Sequence, residues 1–268
     1  MAESVPAWSR PLFQESPQPT KILFVCFGRA PLAEVEISGA SFGLPSRELA
    51  AQVDVREHRR EAKPGWFESW WGDAFGTIAQ RDLGQSLPLL THSDVCFTLS
   101  LTIPDQADLA PLQTVWGLSR WLCARGASVV LDVHAFRYRT RTEVEALSFE
   151  ESDVARDVKI VLETAPTRDG LHLMHTRGLC KAARPELLSF IRPDDADAMG
   201  RFMSQVARTL LEGAVAPQIR LRVSDGVELV TMPSPEPSLV ASLGLEAGVT
   251  LGRSDGESLA GIARLLPP

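Results

Sequence analysis

Val95–Leu101 (VCFTLSL), a turn at Pro104-Asp105, a helical stripe closing at Arg125-Gly126, and Ser128–Tyr138 (SVVLDVHAFRY) decide how the chain reads. Val95, Phe97, Leu99 and Leu101 alternate with Cys96, Thr98 and Ser100, which is the period of a strand with one apolar face. Asp105 or Asp108 suits a helix N-cap, and Gly126 suits the C-terminal stop. Between them Leu112, Val115, Trp116, Leu122 and Cys123 fall on one helical stripe. Ser128–Tyr138 reads as a single strand. Val129, Leu131, Val133 and Ala135 then face the core, and Val130, Asp132, His134, Phe136 and Tyr138 face away.

Upstream, Ile22–Phe27 is apolar at every position, as a strand covered on both faces must be. Arg47–Val55 reads as a further strand and the charge run Arg56–Lys63 (REHRREAK) as a solvated helix end or loop. On a helix, Trp66 and Trp70 share one face while Phe67, Trp71 and Phe75 share the next. Such a stripe is core more often than partner surface. Downstream, Val158–Leu162, Leu171–Thr176 and Ile219–Val223 read as strands. Asp194–Glu212 reads as a helix with Met199, Phe202, Met203, Val206 and Leu210 on one stripe.

The two helices open alike, Asp105-Gln-Ala-Asp108 against Asp194-Asp-Ala-Asp197, and close alike, Arg125-Gly-Ala127 against Glu212-Gly-Ala214. The expected fold is therefore α+β in two similar halves. Each half is a small, mostly antiparallel sheet covered by one main helix, a ferredoxin-like repeat. The expected boundaries are a disordered tail over 1–20, halves over 21–145 and 146–232, and over 233–268 a C-terminal extension that is either loose or a small added hairpin around Val249–Leu251.

Composition limits the function classes. In 268 residues, 44% apolar and 23% charged exclude a disordered or fibrous chain. Lys+Arg 27 against Asp+Glu 34 gives −7, which argues against nucleic acid as a partner. No apolar run is long enough for a membrane span. Arginine outnumbers lysine heavily and asparagine is absent, the codon signature of a high-GC bacterial genome. The four cysteines form no CxxC pair, and Met1–Gln18 lacks a signal-peptide core, so a cytoplasmic setting is expected.

Nucleotide, zinc and hydrolase motifs are missing, and no cofactor is expected. Asp132 and His134, two apart on the supposed strand, share a face, where a carboxylate can orient an imidazole for acid–base work. In His172-Leu-Met-His175-Thr-Arg177 the two histidines of a strand point to opposite faces, so no metal site is expected. His175 and Arg177 do share a face, and with Glu163 they could line a polar pocket. Arg137, Arg139 and Arg141 fall on one side of a strand, a possible acidic-partner surface. Arg177, Lys181 and Arg184 precede an expected short helix, Pro185–Phe190, whose start suits an anion. The competing reading pairs Arg177 with Glu163 or Glu186.

The segment Thr176-Arg-Gly-Leu-Cys-Lys-Ala-Ala-Arg-Pro-Glu-Leu187 resembles an uncharacterised family of bacterial α+β proteins with a "TRGL, basic residue, RPEL" segment after a central strand. Asp108–Gln113 through Asp132-Val-His134 looks like the preceding strand–helix–strand unit of that group, so the likeness spans residues 90–225. It implies the fold, a bacterial cytoplasmic setting and company with accessory or immunity-type proteins; it brings no activity. The expectation is a non-catalytic, protein-binding or accessory factor of immunity type. Trp66, Trp70, Trp71 and the arginine strand would supply contact surface, and Glu163, Arg177, Lys181 and Arg184 further binding groups. The alternative is a hydrolase or metal-dependent enzyme using Asp132, His134, His175 and Arg177.

Overall fold

β1 (Thr20–Gly28), apolar through its centre, lies in the middle of a five-stranded sheet. The computed structural model describes residues 5–167, 169–215, 219–224, 227–233, 237–257, 259 and 261–262. The chain divides into two units, Met1–Ser9 with Thr20–Ser152, and Arg10–Pro19 with Asp153–Pro268.

The first unit continues through α1 (Gly39–Phe42), α2 (Arg47–Ala50), β2 (Asp54–Arg59), α3 (Pro64–Glu68), α4 (Asp73–Leu83), α5 (Leu87–Thr91) and β3 (Val95–Ile103). It ends with α6 (Ala110–Arg125), β4 (Ala127–Asp132), β5 (Arg137–Thr140) and α7 (Arg141–Ala146). The strand order is β2-β3-β1-β4-β5, antiparallel throughout. α6 covers one face, where Trp116 meets Phe24 edge-on at 4.7 Å. The opposite face packs on α3, α4 and α5 through Val25, Phe27, Phe67, Ala79, Leu83, Leu90, Cys96, Val129, Leu131 and Tyr138.

Three sequence expectations change in this unit. The second strand is not Arg47–Val55; that stretch holds α2, and β2 takes in part of the charge run. β2 is an edge strand exposed at nearly every position, so it carries no alternation to read, and its charges deter edge-to-edge pairing. Ser128–Tyr138 is two strands. Asp132 Oδ1 accepts from the Ala135 amide at 3.1 Å and folds residues 133–136 into a turn, with Phe136 at φ 48°. Of the expected tail over 1–20, the described part holds packed residues. Trp8 is 2% exposed, and its amide donates to Gln113 Oε1 at 3.0 Å.

The second unit comprises α8 (Val154–Asp157), β6 (Lys159–Pro166), β7 (His172–Arg177), β8 (Glu186–Ile191), α9 (Ala196–Leu211), β9 (Arg220–Ser224), β10 (Val227–Pro233), α10 (Pro237–Ser242) and β11 (Gly248–Arg253). Its six strands run β6-β7-β8-β11-β10-β9; β8 and β11 are parallel and the other pairs antiparallel. α9 buries Met199, Phe202, Met203, Val206, Ala207, Leu210 and Leu211, the stripe the sequence marks out. The expected helix Pro185–Phe190 is instead β8, buried on both faces, a pattern that periodicity cannot separate from a buried helix. The residues assigned to a C-terminal extension supply β11, which pairs with β8 and β10 inside the sheet. The molecule is thus α+β with sheets of five and six strands. Among the described residues, no helix is long and apolar enough to cross a membrane.

Candidate functional site

Residues paired across strands point to the same side of a sheet. In the first unit one row runs Arg56–Thr98–Val25–Leu131–Tyr138 across all five strands. The row beside it is His58–Cys96–Phe27–Val129, and on its other side lies Asp54–Ser100–Leu23. Helices cover the first two rows over β1 and β4. The far end of this face stays open: Lys21, Leu23, Thr98 and Ser100 are half-buried, and Asp54, Arg56 and Thr102 are exposed.

An aromatic wall borders that open floor. Trp66 packs on the His58 ring at 4.6 Å and meets Trp70 edge-on at 5.5 Å; Trp70 meets Phe75 at 5.4 Å, and Phe75 meets Phe136 at 5.3 Å. Trp66, Trp70, Trp71, Phe75 and Phe136 are all half-buried, while Phe67 beneath them is wholly buried. Tyr138 Oη donates to the Trp70 carbonyl, which ties the wall to β5. The Trp70 indole N–H is buried and has no acceptor among the described residues. Asp73 (φ 44°) and Phe136 (φ 48°), both at this wall, adopt a backbone conformation that costs a non-glycine residue about 1 kcal/mol or more.

Cations rim the wall. His58 Nε2 lies 3.1 Å from Thr98 Oγ1, and burial, Lys63 and Arg56 together hold this imidazole below its ordinary pKa. Arg60 stands 5.2 Å over the Trp71 ring and 3.5 Å from Glu68, and Arg56 pairs with Asp54 at 2.7 Å.

The residues expected to do chemistry are otherwise engaged. Asp132 is 1% exposed and caps the β4–β5 turn; His134 sits in that turn, so the two do not share a strand face. The arginine row is also broken. Arg139 is buried, 5.5 Å from the Trp116 ring centroid, and Arg141 opens α7 and pairs with Glu145 at 2.6 Å. In the second unit His175 is wholly buried, with Nε2 3.0 Å from Glu163 Oε1 and Nδ1 3.1 Å from the Thr176 carbonyl. Glu163 on β6 and His175 on β7 are therefore in contact.

The basic loop is interior rather than an anion cradle. Arg177 donates to the Leu243 carbonyl at 3.0 Å. Arg184, 1% exposed, donates to the carbonyls of Gln14, Ala182, Ala183, Gly213 and Ala214. Lys181 is also 1% exposed. The anion the loop does hold is its own Glu186. That carboxylate accepts from the amides of Gly178 (2.7 Å) and Leu179 (2.9 Å) and from Thr176 Oγ1 (2.8 Å). Burial nonetheless pushes its pKa up, against the pull of those bonds. Among the described residues, no group of three or more His, Cys, Asp or Glu could hold a metal ion.

Sequence reasoning found the tryptophans but missed His58, Arg56, Arg60, Lys63 and Phe136 as their neighbours. The REHRREAK run was the available signal, hidden by the absence of strand periodicity. Comparison with protein-family models, curated proteins and solved structures found no match.

Proposed function

We propose that this chain is a non-catalytic, protein-binding factor that docks a partner through the aromatic wall and open sheet floor of its first unit. One observation carries the reading: Trp66, Trp70, Trp71, Phe75 and Phe136 stay half-buried at the border of an incompletely covered sheet face. Aromatic residues are enriched at protein interfaces, and tryptophan is over-represented among the few residues that carry most of the binding energy. A bacterial, cytoplasmic accessory role of immunity type agrees with the TRGL…RPEL likeness and belongs to the same proposal. So does the finer reading of two related ferredoxin-like halves. Its support is that α6 and α9 are 16 residues each; the unequal sheets weigh against it.

The enzyme reading is supported by the Glu163–His175 contact, while Asp132 and Arg177 both bond backbone groups. Photo-crosslinking in the natural host tests the docking reading. Benzoylphenylalanine replaces Phe75 in one strain and Val55, which is 43% exposed on the other side of β2, in a second. The expected result is a discrete protein adduct from position 75 and none from 55. No adduct at 75, or the same adducts at both, overturns the proposal.

A further inference from the structure

The edge of a sheet presents unpaired backbone groups to a further strand, and native edges are blunted by charged side chains or covering elements. The two sheets end in β2 and β5, and in β6 and β9. β2 carries Asp54, Arg56, Glu57 and Arg59, and β9 carries Arg220 and Arg222. On β5 the Tyr138 amide is taken by Asp82 Oδ2 of α4 at 3.0 Å. β6 differs from all three. Its run Lys159-Ile-Val-Leu-Glu163 sets three apolar residues in a row, with Ile160 and Val161 half-buried and Leu162 36% exposed. The inner side of this run pairs regularly with β7 from Lys159 to Leu162, and the register shifts only beyond it.

We propose that β6 pairs antiparallel with β6 of a second copy of this chain, across a two-fold axis at Val161. A two-fold normal to the sheet keeps each side chain on its own face, so it must pass through a residue and not between two. Centred on Val161, it sets Lys159 against Glu163 twice, Ile160 against Leu162 twice, and Val161 against itself. Centred on Ile160 or Leu162, it sets Val161 against Lys159 or against Glu163. The other exposed edges reject a copy of themselves. An axis at Arg56 or Glu57 opposes that residue to itself, and an axis at Leu221 opposes Arg220 to Arg222. Opposite charges across strands stabilise the pair and like charges destabilise it. One lysine and one glutamate suffice, because each copy supplies the counter-charge of the other. Glu163 has room for both neighbours: Oε1 lies 3.0 Å from His175 Nε2, yet the side chain is 41% exposed, and a carboxylate accepts at both oxygens. Backbone hydrogen bonds and the apolar run hold the two edges together, and the charges fix the register.

Cysteine crosslinking of the full chain tests the register. Across the axis the two Val161 Cα atoms would stand about 4.5–5.5 Å apart, within disulfide reach. Val161→Cys should therefore yield a disulfide-linked dimer on mild oxidation. Thr164→Cys, exposed on the same strand, should not, because its copies would stand about 20 Å apart; nor should the wild type through its half-buried Cys180. Equal or stronger crosslinking at position 164 overturns the proposal. Light scattering tests the charges. Lys159→Glu and Glu163→Lys should each weaken dimerisation about tenfold or more, and an equimolar mixture of the two should dimerise, since an all-glutamate edge then meets an all-lysine edge. Circular dichroism checks that each variant folds; if either does not, the cysteine pair alone decides. A wild type still monomeric at about 1 mM, reversals that dimerise as the wild type does, or folded reversals that fail to pair when mixed overturn the proposal.

Discussion

At the scale of single residues, buried polar atoms separate structural side chains from available ones. The Trp70 indole N–H has no acceptor among the described residues, whereas its ring packs against Phe27 and Phe75. Trp70→Phe removes the orphan donor and keeps an aromatic ring, so urea denaturation should show stability within about 1 kcal/mol of wild type. Tyr138→Phe leaves the Trp70 carbonyl without its hydroxyl donor and should cost about 1–2 kcal/mol. The reverse ranking would mean that the wall is not held from β5. Glu186 makes a pH prediction. Burial raises its folded pKa, so the folded protein holds this proton more tightly than the unfolded chain does. Its contribution is then complete below the ordinary carboxylate pKa and is lost as pH rises through the folded value. Glu186→Gln cannot ionise. Its melting temperature relative to wild type should therefore rise from acid to neutral pH, and a pH-independent difference would refute the assignment.

At the scale of elements, the TRGL turn is built around a position that only glycine fills. Gly178 has φ 112°, and a Cβ there would stand 2.5 Å from the Asp157 carbonyl oxygen. Gly178→Ala should cost about 2 kcal/mol or more through strain and collision together, read as a fall in the urea midpoint of the second unit. Elements with a clean period were legible in the sequence. β1 is apolar from Ile22 to Phe27, β3 alternates, and α9 carries a stripe because it buries one defined side, while α6, buried at every position from Pro111 to Ser119, is marked by its Gly126 stop. Elements set by their neighbours were not. β2 is an exposed edge with nothing to alternate. β8 is buried on both faces and resembles a helical segment. β10 and β11 owe their strand state to pairing with each other and with β8 across a Pro- and Ser-rich stretch. The candidate site divides the same way. Its tryptophans stand out by composition, but the cations that join them do so only through the register of β2 on β3. The thiols follow their elements too. Burial raises Cys26 strongly and Cys96 and Cys123 to about 12, while Cys180 is half-buried. Native thiol titration should therefore yield no more than one of the four cysteines, with the rest appearing on denaturation.

At the scale of the whole molecule, the opening residues are shared between the two units, and the division falls between Ser9 and Arg10. Trp8 belongs to the first unit. It stacks on Phe149 at a centroid distance of 6.4 Å, donates through its indole to the Phe149 carbonyl at 3.1 Å, and accepts from the Leu109 amide at 2.9 Å. Arg10 belongs to the second. It is 5% exposed and donates to the carbonyls of Leu211 at 3.2 Å and Ala182 at 3.0 Å, while the Leu12 and Gln14 amides that follow bond Glu212 and Gly213. Substitutions two positions apart should therefore act on different cores. Trp8→Ala empties a buried aromatic site and should cost the first unit about 3–5 kcal/mol. Arg10→Ala takes a charged donor from the buried Leu211 carbonyl and leaves the Ala182 carbonyl with the longer bond from Arg184, and should cost the second about 1–3 kcal/mol. Hydrogen exchange followed by mass spectrometry resolves the two. Lost protection should concentrate in β1, α6 and β4 for Trp8→Ala, and in β7, β8 and α9 for Arg10→Ala. If both variants lose protection evenly over the whole chain, the two cores open as one and the division at Ser9 has no energetic meaning.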